Sequence, residues 1–337
     1  MHNAIQLDHT AALASGPLVW RPVETPEPLP GQLRIKVVAC GVCRSNLHMI
    51  EGDWAAGGLP AISPIVPGHE VTGTVDAIGA GVTGFSIGDP VGVQPLWNTC
   101  ETCEYCLTGR EQLCLQRVIT GEMVDGGYAE YMISTAAHTY LVPPELDLVE
   151  AAPLFCPGIT AYGAISKLDL SSGRRLAVFG LGGVGHMAVQ FARVAGAEVT
   201  AVARSAHHLE VARELGAEHV VDASAVDPAE VLAGTMDAAV VFAPSDVVAQ
   251  QALASLKRGG TVVTGVIASF GTITFAEGKT ITESILGSRE QMREVLDLAA
   301  RGVVRTVVDT FPLKDAQEVL GLLADRRLRS RAVLRAQ

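Results

Sequence analysis

Six consecutive residues, Cys43-Arg44-Ser45-Asn46-Leu47-His48, hold a soft metal ligand, a fixed cation, a small hydroxyl and a base that titrates near neutrality. These are the parts that alcohol chemistry on a metal beside a phosphorylated cofactor would require. A Cys and a His five positions apart also occur in ordinary cores and surfaces, so the stretch needs further ligands and a cofactor site from elsewhere in the chain. His69-Glu70 follows Pro67-Gly68 at the start of a strand-like run. A His there is either a hydrogen-bonded strand-end residue or a ligand, and the adjacent carboxylate favours a metal neighbourhood. Cys156 lies in an apolar segment, residues 141–158, punctuated by Pro143, Pro144, Pro153 and Pro157. A buried apolar Cys is ordinarily a small hydrophobe. It becomes a ligand only if the fold carries it to Cys43 and His69.

A second set of thiols has the stronger local pattern. Cys100-x-x-Cys103-x-x-Cys106 is followed by seven residues and Cys114. Four thiolates so spaced close a tetrahedron around one zinc and leave no vertex for substrate. Such a site staples a loop that has little apolar core of its own. A zinc ribbon on nucleic acid needs basic surroundings, whereas Glu101, Glu104 and Glu111 and a net charge of −11 oppose it. An iron-sulfur centre uses similar ligands at other spacings.

The cofactor signal is Gly180-Leu181-Gly182-Gly183-Val184-Gly185. It leaves an apolar strand at 176–179, opens a helical segment at 186–195, and a strand at 198–203 completes the βαβ unit that the motif needs. Gly180 permits the tight turn, Gly182 lets backbone approach a pyrophosphate, and Gly185 allows close helix-sheet contact. Gly183 and Val184 lead into a helix N-terminus that supplies positive potential. The second strand ends Val202-Ala203-Arg204-Ser205, without the carboxylate that NAD sites usually offer to the ribose hydroxyls. Arg204 and Ser205 suit a 2′-phosphate, so NADP(H) is expected over NAD(H), unless Arg204 is only a solvated strand-end cation.

A chain of 337 residues has room for two domains of roughly 150 each. Alternation of Leu33, Ile35 and Val37 predicts a strand over 32–39, delivering the chain to a helix from Arg44. A long Pro/Gly loop over 52–67 follows, then strands over 70–78 and 126–133. Beyond the glycine motif the alternation continues with a helix at 206–215, strands at 219–221 and 237–242, a helix at 246–256 and a strand at 260–266. This is the pattern of an α/β doubly wound parallel sheet. The tail predicts a helix at 289–300, a strand at 306–311, a helix at 313–325 and an alternating run at 330–334. Trp54 and Trp97 are either substrate-pocket walls or core.

No dense Lys/Arg block is present, which argues against a nucleic-acid partner. No window of about 18 uncharged apolar residues argues for a membrane span. Residues 1–13 carry Asp8 and no basic stretch before an apolar run, so they do not read as a secretion signal, and a cytoplasmic protein is expected. Seven cysteines, clustered, suit metal better than disulfides there.

With these residues the chain resembles the zinc-dependent medium-chain alcohol dehydrogenases, nearest the bacterial tetrameric ones. The resemblance runs almost end to end through Gly41-Val42-Cys43, Gly68-His69-Glu70, the four-cysteine lobe and Asp125-Gly126-Gly127-Tyr128. It continues through Ala151-Ala152-Pro153-Leu154-Phe155-Cys156, Gly180 to Gly185 and Gly287-Ser288-Arg289. It implies a GroES-like β-barrel catalytic domain over 1–157 with a structural-zinc lobe about 95–115, and a Rossmann cofactor domain over 158–285. A C-terminal segment, 286–337, would return to the catalytic domain. It also implies two Zn²⁺ per chain, one catalytic on Cys43, His69 and Cys156 with Glu70 close behind, and one structural on Cys100, Cys103, Cys106 and Cys114. Arg44 and Arg331 match residues that contact the cofactor pyrophosphate, Ser45 and His48 match a proton relay, and Cys40 matches no ligand position.

Two thiolates and a neutral imidazole around Zn²⁺ give a formally neutral site with an open vertex, where an alcohol loses its proton far more readily. Hydride then passes to the nicotinamide, and Ser45 would hand the alcohol proton by way of the cofactor ribose to His48. One departure stands out: relatives commonly have Asp where this chain has Asn46, supporting the ligand His. An amide adds no charge, so a weaker His69 donor and a more electrophilic zinc are expected.

The implied activity is that of an alcohol dehydrogenase or aldehyde reductase on primary alcohols and their aldehydes, in a homo-oligomer, tetramer or dimer. An NAD-linked enzyme for secondary alcohols or polyols is a competing reading; polyol relatives often replace a cysteine ligand by an acidic residue, whereas Cys156 is present. A zinc-free quinone reductase is disfavoured by the intact ligand set, and a non-catalytic scaffold by the ligands and relay residues together.

Overall fold

A computed structural model describes residues 1–336. The chain forms two compact units. One comprises Met1–Cys156, Ser288–Ala300 and the segment from Thr306 onward; the other comprises Pro157–Gly287 and Arg301–Arg305.

The first unit is built on the strand Gln32–Gly41, whose Leu33, Ile35, Val37 and Ala39 are buried. Side chains alternate across a strand, so one face of this segment is apolar and must be covered. It pairs antiparallel with Val71–Ile78, with Tyr131–Thr135 and with the C-terminal strand Arg331–Arg335. Two register shifts against Val71–Ile78, at Arg34/Ile35 and Val37/Ala39, bend the pair. The sheet runs on through Pro90–Val93 and Thr139–Leu141 at one edge, and Val308–Pro312 lies parallel to Arg331–Arg335 at the other. Ile5, Leu7, Ile35, Met49, Ile50 and Tyr128 are among the fully buried side chains of its core.

The strand expected over 126–133 is confined to Tyr131–Thr135. Gly126, Gly127 and Tyr128 donate their backbone N–H groups to Val66, Gly68 and Pro67 at 2.7, 2.9 and 2.9 Å, so this stretch binds the segment leading to His69 instead of the sheet. The helix expected over 313–325 begins as a 3-10 turn, Leu313–Asp315, before Ala316–Ala324. The antiparallel pair His2–Leu7 and Leu18–Val23, and the helix Pro157–Ile165, have no counterpart in the sequence reading.

The second unit is a six-stranded, wholly parallel sheet. Its order is His219–Asp222, Glu198–Ala203, Arg175–Phe179, Met236–Val241, Leu256–Thr264, Thr280–Glu283. Leu176 to Phe179 and Ala238 to Val241 are unbroken buried runs, the mark of strands covered on both faces. Gly180 turns the chain off the central strand at φ 93°, a left-handed conformation that disfavours a side chain, into the helix Gly183–Val194.

Candidate active site and metal centres

The helix Arg44–Glu51 starts directly after Cys43, whose extended backbone leaves the strand, and ends on Gly52 in a left-handed cap. Asn46, Leu47, Met49 and Ile50 face the core, while Ser45 and His48, three apart, share the more exposed face. Cys156 lies 113 positions further on, at the end of the 3-10 turn Ala152–Phe155, yet its Sγ is 3.8 Å from Cys43 Sγ. Donor atoms of Cys43, His69, Glu70 and Cys156 all fall within 4.8 Å of one another. Ser45 Oγ stands 3.3 Å from His69 Nε2 on the same side.

Both carboxylate oxygens of Glu70 are taken by Arg331, through Nε at 3.0 Å and through Nη2. Glu70 is fully buried and Arg331 nearly so. The donors left to a metal are two sulfurs and an imidazole. Their electrostatics suit a cation: a hydrogen bond from Cys156 holds the Cys43 thiol well below its usual range against the penalty of burial, helped by Arg331 and His69. Cys156, its partner in that bond, is pushed well above it. Burial opposes charge on His69, but the Cys43 thiolate, Glu122 and Glu70 outweigh it and raise the imidazole. This is the pattern of a soft donor set that would release protons to a metal.

At the other cluster Cys114 Sγ is 3.5 Å from Cys100, Cys103 is 3.6 Å from Cys106, and Cys100 is 3.9 Å from Cys106. Backbone N–H groups of Thr102 and Cys103 hold the Cys100 thiol down to about 6, favouring the thiolate. The lobe is tied down by Glu111, which accepts from Arg289 N at 2.7 Å and Nε at 3.1 Å.

Two family descriptions match this chain: "Alcohol dehydrogenase GroES-like domain" over residues 29–144 and "Zinc-binding dehydrogenase" over 183–301. An alcohol dehydrogenase of Geobacillus stearothermophilus is 38% identical over 329 residues, covering 95% of this chain and 96% of its own. The alcohol dehydrogenase of the hyperthermophilic archaeon Aeropyrum pernix superposes with a TM-score of 0.91 at 30% identity, with 99% of each chain covered. Acetophenone reductase of Geotrichum candidum, in complex with NAD, gives 0.87 at 29%, covering 99% of this chain and 97% of its own. The chain belongs to the zinc-dependent medium-chain alcohol dehydrogenase family. It is thus an oxidoreductase with a GroES-like domain and a Rossmann-type domain. Among the described residues no single helix is long and apolar enough to cross a membrane.

The remaining candidates of this alcohol dehydrogenase are placed as follows. His48 Nδ1 is 2.6 Å from Asp53 Oδ2, and the ring lies 5.8 Å from that of Trp54. Arg44 donates to the Leu323 carbonyl at 2.8 Å. Burial and the nearby Arg326 and Arg331 push its guanidinium down, a repulsion that an anion would relieve. Gly182 caps the helix Gly183–Val194, and a Cβ there would meet nothing within 4 Å, leaving open space at the helix N-terminus. A Cβ on Gly185 would come within 2.1 Å of the Gly180 carbonyl. Arg204 is exposed, and Ser205 Oγ lies 2.8 Å from His207 Nδ1. Trp97 donates to Ile133 O at 3.0 Å and lines a cavity of about 490 Å³ that includes no residue of the Cys43 cluster, while Trp54 packs against the barrel core. Cys40 is fully buried, and burial raises its thiol.

Two site neighbours had no signal in the sequence. Asp53 lies just past the helix cap, where spacing alone does not aim it at His48. Glu122, 53 positions from His69, is buried with Oε1 3.7 Å from Nδ1, and burial raises its carboxyl to about 7.

Proposed function

We propose that this alcohol dehydrogenase transfers hydride reversibly between a primary alcohol, or its aldehyde, and NADP(H). Cys43, His69 and Cys156 would hold a catalytic zinc, and Cys100, Cys103, Cys106 and Cys114 a structural one. The observation that carries the reading is the convergence of Cys156 on Cys43 and His69, with the Glu70 carboxylate engaged elsewhere. Zinc so bound would lower the pKa of an alcohol that it coordinates and polarise an aldehyde, with NAD(P) as hydride carrier. Ser45 Oγ, beside His69 Nε2, is the group positioned to receive the alcohol proton. His48 forms the solvent end of the relay, its Nδ1 occupied by Asp53. Glu70 and Arg331 neutralise one another behind the ligands, and Arg44 and Arg331 would meet the charge of the cofactor pyrophosphate.

NADP(H) is supported by exposed Arg204 and the absence of a carboxylate at the end of strand Glu198–Ala203. The NAD complex of the Geotrichum reductase favours a second reading, an NAD-linked enzyme for secondary alcohols. We place the protein in the cytoplasm, acting on small molecules as a dimer or tetramer. Fully exposed Phe275 and the edge strand Thr280–Glu283 supply apolar surface and free backbone groups suited to a second copy. Zinc counting on purified enzyme, together with specificity constants for graded alcohols and aldehydes with both cofactors, tests the reading. One zinc per chain in active protein would overturn the catalytic-zinc assignment.

A further inference from the structure

His69 Nε2 lies 3.3 Å from Ser45 Oγ while Nδ1 faces Asn46 and Glu122, so as a neutral ligand through Nε2 the ring must carry its proton on Nδ1. Whatever receives this N–H fixes the ring and sets its basicity. Asn46 lies 3.4 Å away through Nδ2, while its Oδ1 accepts from Tyr128 Oη at 3.4 Å. Turning the amide over would exchange these contacts, since a tyrosine hydroxyl also accepts, but in neither orientation does Asn46 bring negative charge. Among the described residues, the carboxylate within 4.0 Å of Nδ1 is Glu122.

Glu122 is held there by the chain around it. Gly121 and Gly126 press against Gly68: a Cβ on either would come within 2.7 or 1.9 Å of its backbone. Asp125 accepts from Val66 N at 2.8 Å, Gly126 and Gly127 donate to Val66 and Gly68, and the Glu122 carbonyl accepts from Ala61 N at 2.9 Å. The turn over 120–126 is thus bound to the segment that delivers His69, and its Glu122 side chain is buried against the imidazole.

We infer that Glu122 is the positioning residue of His69, supplying from the 120–126 turn the carboxylate that Asn46 cannot supply from the helix Arg44–Glu51. This rests on the catalytic-zinc reading above. The charge expected to be missing at position 46 is relocated, and His69 is a stronger donor than Asn46 alone would make it.

The test is release of zinc from the holoenzyme under chelator challenge, with the four-thiolate zinc as internal reference. Glu122→Gln should release the catalytic zinc about 10–100-fold more readily, the usual cost of losing such a partner. The double variant Asn46→Asp/Glu122→Gln should return to within about threefold of the parent, a rescue that a merely structural role for Glu122 would not give. Asn46→Asp alone should gain less than about threefold, because a carboxylate already serves Nδ1. Unchanged release from Glu122→Gln, or no rescue in the double variant, overturns the inference. Should Glu122→Gln fail to fold, Asn46→Asp alone decides: about a tenfold gain in retention would mean that Nδ1 lacked a carboxylate. A parent enzyme that holds only the four-thiolate zinc would instead overturn the catalytic-zinc reading beneath it.

Discussion

Arg331, from the C-terminal strand, grips both carboxylate oxygens of Glu70 across 261 positions of sequence. Both side chains are buried, so their charges are affordable only as a pair. Removing one partner leaves the other uncompensated, which costs about 3–5 kcal/mol in comparable buried pairs. Arg331→Gln should therefore lower the unfolding free energy by that amount in urea titration. Glu70→Gln/Arg331→Gln should lose less than the sum of the two single losses.

This pair also marks the limit of what spacing reveals. The four-cysteine lobe was legible because ligand spacing is local, and the βαβ glycine motif because its turn, helix start and flanking strands are contiguous. Strand Glu198–Ala203 and helix Arg289–Ala300 have the bounds that periodicity predicts. Cys156 had no such local signal; only the resemblance named it, since joining it to Cys43 depends on the packing of the turn Ala152–Phe155. The 126–133 run misled because Gly-Gly-Tyr reads as strand, whereas its N–H groups are spent on residues 66–68. Glu122 was invisible for the same reason: that turn's destination is a tertiary fact.

Cys156→Ser should separate the two proposed metal centres. A serine hydroxyl at neutral pH is a poor substitute for a soft thiolate, so zinc content is expected to fall from two to one per chain while the four-thiolate lobe keeps its metal. Loss of several kcal/mol of charge stabilisation implies a fall in kcat of about 10³-fold. Metal analysis beside steady-state rates checks both numbers.

Ser45 and Asp53 sit at opposite ends of the proposed relay. Ser45→Ala removes the hydroxyl beside His69 Nε2 and should reduce kcat by about 10²–10⁴-fold with zinc retained, whereas Ser45→Thr should keep much of the rate. Asp53→Asn leaves His48 in place but weakens its 2.6 Å bond, so a smaller loss of kcat is expected. Equal rates for Ser45→Ala and the parent would remove Ser45 from proton transfer.

His138 gives the fold its own pH dependence. It is fully buried, its Nε2 has no hydrogen-bond partner among the described residues, and burial together with the Arg289 charge pushes the imidazole down to about 4, with Glu111 opposing. The unfolded chain takes up this proton near the ordinary value of about 6.5. Between the two values the unfolded state binds more protons, so stability is fully present above pH 6.5 and declines as pH falls toward 4. The decline amounts to about 3 kcal/mol. Urea midpoints measured across that window should flatten in His138→Asn or His138→Gln relative to the parent.

Arg204 tests the proposed preference for NADP(H). An exposed guanidinium beyond the strand Glu198–Ala203, with Ser205 just before the following helix, offers donors to a 2′-phosphate and no carboxylate for ribose hydroxyls. The parent should therefore have a higher specificity constant with NADPH than with NADH. Arg204→Asp exchanges a donor for an acceptor and adds repulsion toward phosphate, so the ratio should move toward NADH by at least tenfold, about 1.4 kcal/mol. Most of the change should appear in KM for NADPH, since such a contact would lie far along the cofactor from the transferred hydride and act equally in ground and transition states. A parent that prefers NADH by more than about tenfold would instead leave Arg204 as a solvated strand-end cation.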